Sequence, residues 1–349
     1  MTSTINSGPR ENGAAPKPLL EVENLRVSFQ LAQRTIDAVR GVSFAVQPGE
    51  AVGILGESGS GKSVTGRALM GILKSPPARV TADRMQFLGK DLDQVRRERR
   101  RSDGSGQPIA MIFQNPFTAL NPVFRVGNAL TEVLVTRRGM TAAQARTEAV
   151  RLLDAVRIPN AAKRIKSYPH EFSGGMQQRI MIALALALNP DVLIADEPTT
   201  ALDVTVQAQI LTLLRELQQE RQMGLIFISH DLDVVSEVVT RVYVMYGGRI
   251  VESGPVDSIY ADSRHPYTRG LLLSAPTPGV HKKRLVAIAG SPPEAGATPP
   301  GCPFHPRCPH QTDVCREEMP PLLPAADGPG VAACHHAEQL PRLEVETHV

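Results

Sequence analysis

The sequence predicts an α/β fold in which short buried strands deliver polar residues to one edge of a sheet. Residues 56–63 read Gly-x-x-x-x-Gly-Lys-Ser and follow the apolar run 51–55, which suits a buried strand. Three later apolar runs, at 108–113, 192–195 and 225–228, also end at polar residues. Ligands of open α/β sheets bind beyond the carboxyl ends of the strands, so we expect these four ends to build one site.

Composition indicates a globular chain without a membrane-spanning segment of its own. The 349 residues are 42% hydrophobic, and the net charge of +3 is too small to indicate nucleic-acid binding. The apolar run 180–188 is far shorter than the roughly 20 residues that a transmembrane helix needs. Residues 1–17 are polar and lack a signal-peptide core, so we expect a disordered tail. We therefore expect a soluble, cytosolic chain that reaches a membrane only through a partner.

Periodicity predicts the other regular elements. Segments 19–29 and 42–47 alternate apolar and polar residues, as antiparallel strands with one solvated face do. Segments 141–156 and 204–222 have apolar residues at helical spacing, and 241–250 has the pattern of a hairpin around two glycines.

The segment 56–63 has the features of a phosphate-binding loop. Its glycines allow a tight turn in which successive N–H groups converge on phosphate oxygens. Lys62 would reach the β- and γ-phosphates, and the Ser63 hydroxyl would ligate Mg²⁺. Residues 64–73 can form the helix whose N-terminus faces the phosphates. The candidate nucleotide-binding residues here are Gly56, Ser58, Gly59, Ser60, Gly61, Lys62 and Ser63.

Two carboxylates follow the apolar strand 192–195. Asp196 stands where a Mg²⁺ ligand is needed, either directly or through water. Glu197 would lie beside the γ-phosphate, where it can polarise the attacking water as a general base. A solvated acidic pair at a strand end is the alternative, and the four apolar residues before it argue against that alternative.

Single polar residues end the other two strands. Gln114 suits a ligand that contacts both Mg²⁺ and water, because an amide accepts and donates without changing charge. His230 can donate to a γ-phosphate oxygen, although a single histidine is more often structural. The catalytic candidates are therefore Glu197, His230 and Gln114, and the candidate Mg²⁺ ligands are Ser63, Gln114 and Asp196.

A second anion-binding element precedes the apolar helix that ends near residue 188. Ser173 can act as the N-cap of this helix, and Gly174 and Gly175 leave backbone N–H groups accessible at its positive end. An ordinary capped helix is the simpler interpretation. Because the chain already has one phosphate loop, we expect this segment to serve the nucleotide of another subunit.

In this order, the motifs resemble those of the ATP-binding subunits of ABC transporters. The resemblance covers about residues 18–265, with a helical subdomain at about 115–188. It implies a P-loop ABC ATPase with a mixed core sheet, an antiparallel β subdomain, the helical subdomain and an irregular Pro/Cys-rich extension over residues 266–349. The motifs that carry it are residues 56–63, Gln114, residues 173–175, Asp196-Glu197, Leu202-Asp203 and His230.

Finer features are similar to the oligopeptide/dipeptide permease branch of that family, and within it to the D-type ATPase subunits of oligopeptide permeases. The signature segment has Phe172 and Met176 where the general pattern has Leu and Gln, a variant typical of this branch. The supporting segments are Gln-Asn-Pro at 114–116, Ala-Leu-Asn-Pro at 119–122, Tyr-Pro-His-Glu-Phe-Ser-Gly-Gly-Met at 168–176 and His-Pro-Tyr-Thr at 265–268.

The resemblance implies a mechanism with two ATPase domains that close head to tail around two ATP molecules. Each ATP would lie between the phosphate loop of one subunit and the 173–175 segment of the other. Asp203 would link the two sites, and Phe29 would stack on adenine, where a tyrosine is more usual. Because Glu197 and His230 are both present, the chain's own site should be competent.

The implied function is ATP hydrolysis that energises import of oligopeptides or dipeptides at the cytoplasmic face of the inner or plasma membrane. The implied partners are two transmembrane permease subunits, a second and non-identical ABC ATPase subunit and, through the complex, an extracytoplasmic peptide-binding protein; nucleic acid is not expected. The alternatives are a soluble ABC ATPase without a membrane partner and a metal-stapled regulatory module. The single cassette without sustained heptads argues against the first, and Glu197 argues against the second.

The extension carries all four cysteines and is rich in proline, with eleven prolines between residues 290 and 330. Proline at this density excludes a long helix or a central strand. The cysteine spacing is wider than that of common zinc knuckles, and thiolates suit zinc and iron–sulfur clusters alike. The resemblance implies a structural [4Fe–4S] cluster, with Zn²⁺ as the alternative and free thiols third. The expected ligands are Cys302, Cys308, Cys315 and Cys334.

Overall fold

The computed structural model describes residues 17–101, 106–116, 120–200, 202–274, 287–294, 296–325 and 328–340. Its strands form two sheets. The strands are β1 (Leu20–Gln30), β2 (Thr35–Val46), β3 (Ala51–Leu55), β4 (Ala78–Thr81), β5 (Arg84–Phe87), β6 (Lys90–Asp91), β7 (Ile109–Ile112), β8 (Val192–Asp196), β9 (Gly224–Ser229), β10 (Arg241–Tyr246), β11 (Arg249–Pro255), β12 (Leu323–Pro324) and β13 (Val331–Ala332).

The helices lie between these strands and after them. The helices are α1 (Lys62–Met70), α2 (Leu92–Arg101), α3 (Val126–Arg138), α4 (Ala142–Ala155), α5 (Ala161–Arg164), α6 (Gly174–Ala187), α7 (Val204–Arg221), α8 (Leu232–Ser236), α9 (Val256–Asp262), α10 (Pro266–Ser274) and α11 (Asp313–Glu317). No helix in the described part of the chain is long and apolar enough to cross a bilayer.

The main sheet has eight strands in the order β12-β13-β11-β10-β3-β9-β8-β7. Strands β7, β8, β9, β3 and β10 run parallel to one another, whereas the pairs β10–β11, β11–β13 and β13–β12 are antiparallel. Every residue of β3, β8 and β9 is buried, because layers on both faces cover these strands. The predicted buried strands are therefore neighbours, and their carboxyl ends meet at one edge.

The second sheet is antiparallel and has its centre at β1, which pairs with β2, β4 and β5. The burial along β1 is that of a strand with one solvated face, with Leu20, Val22, Leu25 and Val27 buried. The predicted strand 42–47 is the end of the longer β2, because β2 stays paired with β1 as far as Gln30.

The helical region between β7 and β8 packs on its own apolar side chains. Helices α3, α4 and α6 contact one another, and Leu130, Leu134, Leu152 and Leu153 are fully buried there. Helix α4 begins at a capping box in which Thr141 accepts from the Gln144 backbone and the Gln144 side chain accepts from Thr141.

A buried carboxylate joins the main sheet to the C-terminal helices. Glu252 on β11 is 3% exposed, and its two oxygens accept the backbone N–H groups of Arg264 and His265. Burial raises the pKa of Glu252 to about 7, against the opposing effect of these hydrogen bonds, Thr268 and Arg269. Burial also lowers the pKa of His265 to about 3. The His-Pro-Tyr-Thr segment is thus seated on the sheet.

The C-terminal extension adds two short strands to the edge of the main sheet. Strand β13 pairs with β11, and β12 pairs with β13 through two residues each. The extension was predicted to be irregular, and these strands were not predicted because each has only two residues and β12 contains Pro324. Proline is tolerated there because β12 is an edge strand.

Candidate active site

The phosphate loop lies between β3 and α1, and two of its glycines are required by their surroundings. Gly56 and Gly61 have φ values of +150° and +101°. A Cβ on Gly56 would lie 2.2 Å from the carbonyl oxygen of Met245, and one on Gly61 would lie 2.5 Å from that of Ala38. The loop is therefore pressed between β10 of the main sheet and β2 of the second sheet, where no side chain fits.

Lys62 lies inside this loop and is 4% exposed. Its Nζ donates to the carbonyl oxygens of Gly56 at 2.6 Å and Glu57 at 2.9 Å. Burial lowers the pKa of Lys62, whereas the nearby carboxylates of Glu197, Asp196 and Glu57 raise it. The ammonium group is thus held at the loop by dipoles and charges of the site itself.

Ser63 and Asp196 meet at the ends of α1 and β8. The Ser63 hydroxyl donates to Asp196 Oδ1 at 2.8 Å. Asp196 is 1% exposed, and its Oδ2 atom has no hydrogen-bond partner among the described residues. Burial raises the pKa of Asp196, and the Ser63 hydrogen bond opposes that shift. A hydroxyl beside a carboxylate with an unsatisfied buried oxygen is a donor set that fits Mg²⁺.

Glu197 lies at the centre of a second group of polar side chains. Its Oε2 accepts from Gln114 Nε2 at 2.8 Å and from Thr200 Oγ1 at 3.0 Å. His230 Nδ1 lies 3.5 Å from Glu197 Oε1. Glu197 also has a positive φ of +46°, an uncommon conformation for a residue other than glycine. The strand ends therefore bring Gln114, Glu197 and His230 together, as the sequence predicts.

A cavity of about 330 Å³ opens onto these residues. One wall is the phosphate loop, and Gln114 and Glu197 lie beside it. Phe29 and Ile36 of the second sheet also line the cavity, as do Pro293, Glu294 and Thr298 of the extension. The position of Phe29 was predicted from the sequence, whereas the contribution of the extension was not.

The segment 173–175 is not part of this cavity wall. Ser173 is exposed at the start of α6, in the N-cap conformation but without a side-chain capping hydrogen bond. Its hydroxyl is therefore directed to no helix N–H. Asp203 caps α7, since its Oδ1 accepts from Val206 N at 3.0 Å. That Asp203 links the two ATP sites of a dimer stays a prediction.

Two protein-family models match the chain. One is described as ABC transporter and matches residues 39–200; the other is described as oligopeptide/dipeptide transporter, C-terminal region, and matches residues 251–315. The dipeptide transport ATP-binding protein DppD of Bacillus subtilis is 49% identical over 86% of this chain and 90% of that protein. The oligopeptide transport ATP-binding protein OppD of Salmonella typhimurium is 49% identical over 88% of this chain and 92% of that protein.

The chain belongs to the ATP-binding subunits of the oligopeptide/dipeptide ABC transporters. A solved structure agrees on the fold of this ATP-binding subunit. The dimeric ATP-binding cassette MJ0796, in a post-hydrolysis state bound to ADP and Pi, matches with a TM-score of 0.55 and 27% identity over 68% of this chain and 98% of that chain. The predicted fold class is confirmed, and the subunit is an ABC ATPase.

The prediction of a [4Fe–4S] cluster at the four cysteines, with Zn²⁺ as the alternative, is contradicted by the structure. In the described parts of this subunit, which include all four thiols, no group of three or more Cys, His, Asp or Glu side chains is arranged to hold a metal ion. The sequence spacing alone could not show whether the four thiols adopt a metal-binding arrangement.

The cysteines instead pack as small side chains of the extension. Cys302 and Cys315 are buried, and the Cys302 N–H donates to the Cys315 carbonyl oxygen at 2.9 Å. Burial raises the pKa of Cys302 and of Cys334 to about 11 and also raises the pKa of Cys308. A raised pKa favours the protonated thiol in these three cysteines.

Two groups of residues near the site of this ATP-binding subunit were not predicted from the sequence. Thr200, which donates to Glu197, follows the acidic pair closely and could have been found as a hydroxyl beside the candidate base. Glu57 lies within the phosphate loop at a position that the loop pattern leaves open, and its partners Tyr267 and Arg307 come from the C-terminal region. No local pattern marks those partners.

Proposed function

We propose that this subunit binds MgATP at the 56–63 loop and hydrolyses it to energise uptake of oligopeptides or dipeptides through membrane permease partners. The observation that carries the proposal is the position of Glu197, which is hydrogen-bonded to Gln114 and lies 3.5 Å from His230. This group stands beside the phosphate loop of a chain that is 49% identical to a dipeptide transport ATP-binding protein.

The chain's own residues would divide the work of hydrolysis. Glu197 would accept a proton from the attacking water, because both donors on Oε2 hold its carboxylate in place. His230 would donate to the γ-phosphate. Lys62 would exchange its loop carbonyl partners for β- and γ-phosphate oxygens.

Ser63, Asp196 and the Gln114 amide oxygen would hold Mg²⁺, with Asp196 supplying the unsatisfied Oδ2. Bound Mg²⁺ would neutralise charge that develops on the phosphate oxygens during phosphoryl transfer.

A second ATPase subunit would complete each site. The exposed Ser173 hydroxyl and the accessible start of α6 are free to bind the phosphates of a partner's nucleotide. Asp203, at the start of α7, would lie near the line between the two sites, and Phe29 would stack on adenine. The partner ATPase would be a different chain, since the resemblance is to a branch whose permeases usually pair two different ATPase subunits.

The surface after Gln114 suits a membrane partner. Phe113, directly before Gln114, is 36% exposed, and Val123 and Phe124, further along the chain, are 71% and 53% exposed. Exposed apolar side chains in one region mark a binding surface. Two transmembrane permease subunits would dock here, and they would hold the subunit at the cytoplasmic face of the membrane. A peptide-binding protein would join on the other side.

Co-purification tests the proposal directly. The tagged chain, extracted from its native membranes in mild detergent, is expected to bring down two multi-span permease subunits, a second ATPase and a peptide-binding protein. Phe124→Ser combined with Val123→Ser should abolish recovery of the permease subunits while the purified chain still hydrolyses ATP. Recovery from the soluble fraction alone, with ribosomes or DNA-processing proteins, would contradict the importer assignment and favour a soluble ABC ATPase.

A further inference from the structure

Arg307 of the C-terminal extension reaches the phosphate loop. Its Nη1 donates to Glu57 Oε2 at 2.5 Å and its Nη2 donates to Glu57 Oε1 at 3.0 Å. The Arg307 side chain is 5% exposed and that of Glu57 is 27% exposed. A bidentate pair of this kind fixes both distance and orientation, which a single charge contact does not.

The guanidinium has a partner at each of its nitrogens. Arg307 Nε donates to the carbonyl oxygen of Ala289 at 2.9 Å, and Nη1 also donates to the Tyr246 hydroxyl at 3.3 Å. Hydrogen bonding to Glu57 raises the pKa of Arg307, so the guanidinium stays protonated and positively charged. Arg307 therefore links three parts of the structure: β10, the extension and the phosphate loop.

Glu57 is itself held at three points. Besides the carboxylate contact with Arg307, its backbone N–H donates to the Tyr267 hydroxyl at 2.7 Å. Its carbonyl oxygen accepts from Lys62 Nζ at 2.9 Å. One residue thus connects the C-terminal region, through its side chain and N–H, to the lysine that would contact the phosphates.

An aromatic cluster keeps these anchors in place. Tyr246, Tyr267 and Phe304 have ring centroids 4.6 to 5.4 Å apart, and all three side chains are buried. Arg307 lies over the rings of Tyr246 and Phe304, with its Cζ 5.8 and 5.9 Å from their centroids. Such packing restricts the rotamers of the residues that hold Glu57.

We propose that Arg307 is a positioning residue for nucleotide binding: it acts through Glu57 to hold the phosphate loop in the conformation that receives ATP. The proposal deepens the proposed ATPase function and rests on it. The extension also forms part of the cavity wall through Pro293, Glu294 and Thr298, and the Ala289 contact of Arg307 lies at the start of that segment. A binding site fixed before the ligand arrives loses less entropy on binding.

The test compares Arg307→Gln with wild type, using full-length protein, MgATP titration calorimetry and steady-state ATP hydrolysis. We expect the Kd and KM for MgATP to rise about tenfold. A change of this size is within the range of interaction energies measured between residues of one hydrogen-bond or salt-bridge network. We expect kcat at saturating ATP to stay within about twofold of wild type, because the lost Arg307–Glu57 contact affects ATP binding and not the chemical step.

Arg151→Gln is the matched control. Arg151 also forms a bidentate pair with a glutamate, Glu148, with both contacts at 2.7 Å on the surface of α4. Removing this pair should leave Kd and KM unchanged. The comparison therefore separates the effect of Arg307 on the phosphate loop from the general effect of losing an arginine.

A cycle with Glu57→Gln separates positioning from folding. If Arg307 acts through Glu57, the double variant should bind MgATP no more weakly than either single variant, and Arg307→Lys should recover only part of the affinity. The single Glu57→Gln variant gives the same readout if Arg307→Gln does not fold.

Two results separate the proposed ATPase function from the positioning role of Arg307. Wild-type protein that neither binds nor hydrolyses ATP would overturn the proposed function. Active wild type with unchanged Kd and KM in Arg307→Gln, whatever its melting temperature, would overturn the positioning role alone.

Discussion

Glu197→Gln is the substitution that tests the candidate base most sharply, because the structure predicts a loss of basicity with almost no loss of shape. A glutamine oxygen in the place of Oε2 can still accept from Gln114 Nε2 and Thr200 Oγ1, which now lie 2.8 and 3.0 Å away. The new amide nitrogen would then face His230 Nδ1, 3.5 Å from the present Oε1. What is removed is one negative charge and the ability to accept a proton.

The size of the effect follows from the role that is lost. A positioned general base accelerates proton transfer by about 10²–10⁴-fold, which corresponds to about 3–5 kcal/mol of transition-state stabilisation. The free energy of unfolding should change by less than about 1 kcal/mol, since the hydrogen bonds are kept. Loss of the charge also removes a carboxylate beside Asp196 and lets burial lower the pKa of Lys62 further.

The assay is phosphate release at saturating MgATP, with ATP affinity and chemical denaturation measured on the same preparation. We expect kcat to fall at least a hundredfold while MgATP still binds. Glu216→Gln, which removes an exposed carboxylate paired with Arg157, is the control and should keep wild-type turnover. Turnover of Glu197→Gln within twofold of wild type would refute the assignment of the base.

Three further predictions concern the metal, the buried carboxyl and the loop. Asp196→Asn should weaken ATP binding about tenfold or more in Mg²⁺ but not in EDTA, as followed by calorimetric titration, because Mg²⁺ loses a charged ligand. Glu252 keeps its proton to about pH 7 when folded and to about pH 4.5 when unfolded, so it favours the folded state below pH 4.5 and loses that contribution as pH rises to 7. Wild type should therefore lose about 3 kcal/mol relative to Glu252→Gln over this range in urea denaturation, a comparison that cancels the opposite contribution of His265. Gly61→Ala places a Cβ 2.5 Å from the Ala38 carbonyl at a φ of +101°, and it should destabilise the protein by about 2 kcal/mol in the same assay and abolish ATP binding.

The sequence predicted the strands and their ends because those features are local. An apolar run of four to six residues that stops at a polar residue predicts both a buried strand and the polar side chain at the end of that strand. Gln114, Asp196 and His230 were found in this way, each directly after or close to its strand. Long amphipathic or apolar helices such as α4 and α6 were predicted for the same reason.

Tertiary contacts between distant segments left no such signal. Nothing around Arg307 indicates a contact with Glu57, because the pairing depends on how the extension folds back over β10 and α10. The two-residue strands β12 and β13 are too short for any period to be visible.

The cysteines show the opposite error. Their grouping near Cys302 suggested a shared metal site, but sequence spacing does not determine whether neighbouring thiols adopt a metal-binding arrangement, and none is found among the described residues.

The contact between Glu57 and Arg307 spans 250 residues of sequence. A ribosome delivers the chain from its N-terminus, so the phosphate loop emerges and its strand begins to pair long before its anchor has been synthesised. Contacts of such high sequence separation form late, because the intervening chain must first become compact. A segment that is synthesised 250 residues later thus completes the phosphate loop, so a chain terminated before Arg307 would carry the loop motif without this anchor.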